Sequence, residues 1–536
     1  MEKRKTVKIQ LTMKKINILL GATLFTFNAS LLTSCDSLLE EDTDSFPSQS
    51  VIYSNDKSVE AALTGCYHEL CSYNVFQSDY HTIFCTAGGT MNNTSSSYND
   101  SKAQKIEPDN KYVGRHFKSS YRVIADCNDL LDKIDGSGAS EELKTRAKGE
   151  AHFLRGMVYF NLVRAFGGLP LRITPITSTT LDMPRSTVEE TYQQVISDLE
   201  EAAQLLPEVN PTEGRPSRYA AHALLGKVYL TLANGEEGSP YWQKCIDECQ
   251  KVYGKYKLVS LQELYNAQNR NTAESIIEIQ FSDINGSTWT QGIAPDVSDY
   301  TPNASSKPYG RYRPSKYIFD TWREQYPGDP RIEEGIIYNY YTKNGGKDTV
   351  TIYPAYTSDK GSSRMWVYLK KFLDTRYVAQ YACQNFIYLR YADVLLMLAE
   401  ATNEVSGPDK AYQYVNEVLA RARNSASPAA EQPADWSGMT KEEFRHRIMY
   451  ERFYELLGEE TEYFDMRRRG IDFMLNYWKA HNAHPANCKN PSSTKYKDDW
   501  FVCTQEMAKR AMLLPFPTLE INSNNAITDA DQNPGY

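Results

Sequence analysis

Beyond residue 34 the chain lacks any apolar run long enough to span a bilayer. It has no G-x-S-x-G elbow, no H-E-x-x-H helix and no phosphate-binding glycine loop, which excludes the enzymes built on those motifs. Histidine is scarce, with 8 in 536 residues. One grouping, His481 and His484 followed by Cys488 and later Cys503, has zinc-ligand residue types without the spacing of a standard finger. No metal or cofactor is expected. Basic charge is also in deficit, with 59 Lys and Arg against 68 Asp and Glu. Such a surface repels phosphate backbones, so nucleic acid is not an expected partner.

The start of the chain carries an address. Lys14 and Lys15 precede an apolar run from Ile16 to Leu32, and the run ends in Leu32-Thr33-Ser34-Cys35. This order resembles a bacterial lipoprotein signal, cut before Cys35 with the thiol then acylated. Asn17, Thr23, Thr26 and Asn28 make the run too polar, and too short, for a membrane span. The alternative is an ordinary secretion signal with a coincidental cysteine. Loss of residues 1–34 removes six basic residues and one acid, moving the formal charge from −9 to −14. Lipid on Cys35 would then be the anchor of a body outside the cytoplasm. Residues 35–47 read as an acidic tether. Acids just after the cysteine resemble the surface-export signal of Bacteroidetes lipoproteins.

Of the 10 cysteines, nine remain once Cys35 is lipidated, an odd number that argues against a complete disulfide framework. Cys245 and Cys249, four apart on an expected helix, read as small buried hydrophobes. Cys488 and Cys503 flank a polar loop and are a candidate pair in an oxidising compartment.

From residue 48 to 536 we expect a single domain, mostly α. Apolar spacing predicts helices over Lys57–Ser72, Arg115–Ile134, Glu141–Phe166, Thr187–Leu206 capped by Ser186, Ser217–Ala233, Tyr388–Glu404 and Asp409–Arg423. Leu225-Gly226-x-x-Tyr229 matches the middle of a tetratricopeptide repeat, where glycine lets two helices approach closely. About four helix pairs can be drawn. Residues 48–281 form the N-terminal helical part, 282–380 a variable loop-rich part, and 381–536 a C-terminal helix pair with its terminal segment. The acid-rich Glu451–Glu462 reads as a structural charged helix and its loop.

Two regions break the helical pattern. Residues 73–114 are rich in Ser, Asn and Gly, and 282–380 hold many Tyr and Trp among Gly and Pro. The chain has 38 Tyr and 7 Trp. Long ordered loops in a compact protein are commonly functional. A sugar ring offers an apolar C–H face and a polar rim, which an aromatic ring and neighbouring Asn, Asp or Arg complement. Candidate ligand contacts are Asp79, Tyr80, Asn93 and Tyr98 in the first region, and Trp289, Tyr300, Tyr309 and Arg311 in the second. Trp289 is the leading aromatic.

These features together resemble the SusD/RagB-like outer-membrane lipoproteins of Bacteroidetes. The resemblance rests on Lys148–Leu171, Met183–Leu206 with Gly214–Leu232, Tyr388–Arg423, Glu451–Arg469 and Leu514–Tyr536. It implies a SusD-like fold, with four tetratricopeptide-like helix pairs on one side and a loop-rich, variable ligand-binding half on the other. It implies a non-catalytic binding lipoprotein that captures oligosaccharides or polysaccharides for a SusC-like TonB-dependent transporter. The expected location is the outer membrane, lipid-anchored at Cys35 and facing the cell exterior. Glu150, Arg155, Arg164 and Trp322 are implied to be scaffold. Two alternatives stay open: the same fold capturing peptides, and a lipoprotein glycoside hydrolase with two carboxyls about 5–10 Å apart across an aromatic cleft.

Overall fold

The computed structural model describes residues 52–94, 102–177, 179–282, 289–294, 308–357, 363–374, 382, 384–485 and 500–536. Among these, helix dominates. α1 (Asp56–Leu70) buries Val59, Leu63, Cys66 and Leu70, one stripe at three- and four-residue spacing. A single π-turn (Tyr73–Gln77) leads to α2 (Asp79–Phe84), all of whose side chains are buried. α3 (Lys111–Lys133) starts at Asn110, whose side chain accepts from the Tyr112 and Val113 amides, and packs on α1.

α4 (Glu141–Phe166) is buried almost continuously from Gly149 onward and forms the spine of the scaffold. α5 (Val188–Leu205) packs along it. Its cap is Thr187 rather than Ser186: the Thr187 hydroxyl accepts from the Glu190 amide while Glu190 reaches back, a complete capping box. α6 (Arg218–Ala233) and α7 (Tyr241–Val252) form the next pair. A Cβ built on Gly226 would overlap Cys249 Sγ, so the glycine is what lets these two helices meet.

The C-terminal part opens with a strand where the sequence suggests helix. Phe386–Arg390 pairs antiparallel with Ser275–Ile279, and the helix begins only at Tyr391. Aromatic and β-branched residues in this stretch fit a ladder better than a helix start. The pair Tyr391–Ser406 and Pro408–Asn424 then packs against α7.

Charge is buried deep in the fold. Arg390 donates to Glu274, Glu455 and Glu459 at 2.7–2.9 Å. Arg331 donates to Asp329, Glu451 and Glu455 at 2.6–3.1 Å. Glu451–Glu462 is therefore structural, as its pattern suggests, but it is an interior network rather than a solvated face. Trp322 is part of it, its indole N–H donating to Asp329 at 2.9 Å.

Candidate functional site

Two segments more than 200 residues apart meet in one short ladder. β1 (Met91–Asn93) pairs antiparallel with a strand at Tyr312–Pro314, in the register Met91 to Pro314, Asn92 to Arg313 and Asn93 to Tyr312. The Thr94 amide extends it by donating to the Arg311 carbonyl at 2.8 Å, and the Ser315 amide donates to Thr90 at 2.8 Å. The stems of the two predicted ligand regions are thereby fastened together. A short helix, Trp289–Ile293, hooks onto the same place: the Gly292 carbonyl accepts the Arg311 amide at 2.8 Å. Gly292 is required there, since a Cβ would lie 2.6 Å from the Tyr312 ring.

At the end of this ladder Tyr309 is 50% exposed, and the Arg311 guanidinium lies 4.4 Å from its ring centre. Asn93 stands half-buried beside Tyr312 in the register. Tyr309 and Arg311 together offer a half-exposed aromatic ring and a planar multi-donor cation.

Beneath it, α2 distributes three consecutive side chains to three neighbours. The buried Asp79 carboxylate accepts from Arg115 Nε and Nη2 at 2.9 and 2.8 Å. Burial pushes its carboxyl up to about 6, against the pull of Arg115. Tyr80 fills an aromatic cluster with Phe76, Phe84 and Phe386, at ring separations of 4.5, 4.9 and 6.1 Å. His81 stacks on Trp289 at 5.2 Å.

The sequence-predicted residues therefore divide. Tyr309 and Arg311 come together at an accessible edge, and Asn93 lies on the strand that pairs beside them, opposite Tyr312. Asp79, Tyr80 and Trp289 are buried and present no face to a ligand in this structure. The Trp289 indole N–H donates to the Gln384 carbonyl at 3.1 Å, and its ring is enclosed by His81, Phe372 and Phe386. Burial of Trp289 follows from its position at the start of a helix that docks inward rather than in an open loop. Tyr98, Tyr300 and Cys35 lie outside the described residues, as does Cys488; Cys503 is a free thiol.

A feature absent from the sequence reading is Arg115. Its side chain is 40% exposed, clamped by Asp79, and lies 5.7 and 5.3 Å from the rings of Tyr73 and Tyr112. Tyr112 and Arg115 are three apart on α3 and so share a face, the one signal by which it was legible.

A separate cleft of about 810 Å³ opens between α1, α4, residues 213–216 and the strand Ser275–Ile279. None of the predicted site residues lines it. Two of its polar side chains, Tyr67 and Arg215, both donate to Glu150, at 2.8 and 3.0 Å, and Arg215 lies over the Tyr67 ring. Acids of raised pKa occur elsewhere, at Glu460 and Glu462, where burial is the main cause. Both are buried, with His81 and the Gly458 amide as their partners. They do not face an open cleft as a glycosidase pair must. Among the described residues no group of three or more His, Cys, Asp or Glu is placed to hold a metal.

Comparison with known proteins accounts for both halves of the chain. Residues 273–536 match the SusD family model, and residues 38–230 match the model described as starch-binding and associating with the outer membrane. The SusD-like protein P25 of Formosa agariphila is 27% identical over 508 residues, covering 85% of this chain and 92% of that one. A SusD-like protein of Bacteroides ovatus is 24% identical over 270 residues, covering 47% and 48%. Among solved structures, a SusD homologue from Bacteroides thetaiotaomicron superposes with a TM-score of 0.72 at 22% identity, covering 90% of this chain and 97% of that one. A laminarin-binding SusD-like protein superposes with a TM-score of 0.69 at 23% identity, covering 90% and 100%. The two family models together span most of the chain, and the chain belongs to the SusD/RagB family.

Proposed function

We propose that this protein is a non-catalytic glycan-binding lipoprotein, anchored in the outer membrane through acylated Cys35 and exposed to the exterior. It captures oligosaccharides or polysaccharides and passes them to a TonB-dependent transporter of the SusC type. The observation that carries the reading is the Tyr309–Arg311 edge, an exposed ring beside a guanidinium, next to the ladder that brings Asn93 in from the other region. A sugar ring would lay its C–H face on Tyr309 while Arg311 and Asn93 take its hydroxyls. Tyr98 and Tyr300, from the same two sequence regions, join them in this proposal. Asp79, Tyr80 and Trp289 act underneath, as framework. Support comes also from the starch-binding family model and from the laminarin-binding structural relative. The burial of Glu460 and Glu462 weighs against the hydrolase alternative.

Native affinity electrophoresis tests the proposal: the purified protein is run through gels containing laminarin, starch, xylan, pectin or alginate. Retardation by one class, relieved in Tyr309→Ala, is expected. Free migration in every gel would overturn the glycan reading and favour peptide capture.

A further inference from the structure

Both ring nitrogens of His81 are engaged in the interior. Nε2 lies 2.6 Å from the Phe76 carbonyl oxygen, which can only accept, so Nε2 carries a proton. Nδ1 lies 2.5 Å from Glu460 Oε1, and that bond needs a proton as well. It is held either as an imidazolium against a carboxylate or as a carboxyl against a bare ring nitrogen. The pair is net neutral both ways. Removing the proton would set a carboxylate against a ring lone pair, with both groups buried. Glu460 is held at φ 63°, and its second oxygen has no hydrogen-bond partner, so His81 is what compensates its burial.

The imidazole held in this way is a wall for Trp289, stacked at 5.2 Å and 27°. Phe372 and Phe386 lie edge-on to the indole, at 5.1 and 5.5 Å. Three residues on, the Gly292 carbonyl takes the Arg311 amide. The path runs from Glu460 through His81 to Trp289, along the backbone of the short helix to Gly292, and through its carbonyl to Arg311, beside Tyr309.

We infer that His81, fixed by the proton it shares with Glu460, is a positioning residue that sets the place of Arg311 and Tyr309 through Trp289. Its consequence for ligand capture rests on the glycan reading; the positioning itself does not. Among the described residues, the other titratable groups near the His81–Glu460 pair are Tyr80 and Cys85, both raised by burial, and His116, lowered to about 4, so all three are neutral near pH 7. Glu462 faces Glu460 and is raised to about 7, with Lys371 pulling the other way. For Glu460 and Glu462, a folded pKa above the unfolded one means stability that is present at low pH. That stability is lost as pH rises through the folded values. The anchor is therefore weakest on the alkaline side.

The test is hydrogen exchange of peptides spanning 289–294 and 308–314, in the absence of any glycan, between about pH 6 and 9. His81→Phe keeps a ring but loses both bonds, and exchange in these peptides is expected to rise about tenfold. Glu460→Gln donates an amide N–H to Nδ1 while Nε2 still donates to Phe76, so protection near that of the native protein is expected, with less loss at alkaline pH. Glu462→Gln controls for the second acid. Native-like protection in His81→Phe would overturn the inference, as would exposure in Glu460→Gln equal to that in His81→Phe. If His81→Phe does not fold, identical pH dependence in the native protein and Glu460→Gln overturns it. Retention of the variants on laminarin gels should follow the same order. The expected exchange pattern with no retention of the native protein would uphold the positioning role and count against the glycan reading.

Discussion

Arg155 and Asp198 form a two-bonded ion pair across the interface of α4 and α5: Nε donates to Oδ2 at 2.9 Å and Nη2 to Oδ1 at 2.6 Å. Arg155 also donates to Asn128 at 2.7 Å, which ties in α3. Burial raises the Asp198 carboxyl, but His152 and Arg155 outweigh it and the net shift is downward. A lowered carboxyl contributes stability above its unfolded value of about 3.9, and that contribution is lost as pH falls through the folded value. Asp198→Asn leaves Arg155 buried without its charge partner, and we expect a loss of roughly 3–5 kcal/mol. Thermal unfolding at pH 7 measures it. The gap between variant and native protein should shrink below about pH 4.

At the proposed binding edge, Tyr309→Ala should weaken retention by the recognised glycan about tenfold. Tyr309 is half exposed, so the melting temperature should stay where it is. Equal glycan affinity in the variant would move the site elsewhere on the protein.

Gly226 tests the close approach of α6 and α7. Gly226→Ala pushes a methyl into Cys249 Sγ and should cost about 1–3 kcal/mol. Adding Cys249→Ala removes the obstructing sulfur, so the double variant should lose less than the two single losses combined. Strict additivity in denaturant unfolding would show that the helices meet some other way.

Asp79 makes a pH-dependent contribution of the opposite sign to Asp198. Burial raises its carboxyl to about 6, so its contribution to stability is present below the unfolded value of about 3.9 and is lost as pH rises through about 6. Asp79→Asn should therefore compare better with the native protein at about pH 8 than at about pH 5 in paired melting curves. A difference that ignores pH would refute the assignment.

Much of the scaffold was readable because it rests on local rules. Glu141–Phe166 is a helix at the residues its spacing predicts, and Gly226 is where helices meet. The misplaced boundary at Tyr388 shows the limit, since only the partner strand at Ser275–Ile279 makes that stretch extended. The site was readable by region, not by residue. Trp289 looks like an exposed loop aromatic until His81, Phe372, Gln384 and Phe386 enclose it. Asp79 looks like a sugar contact until Arg115 arrives from α3. Such pairings depend on distances that no spacing along the chain encodes.

The ladder between Met91–Asn93 and Tyr312–Pro314 separates what must stay constant from what is free to change. Its backbone bonds hold the feet of two loops at one point whatever lies beyond them, because main-chain pairing does not depend on the loop sequence. Sequence change beyond the two strands can thus drift without moving the point where they are pinned, or the helices that carry them.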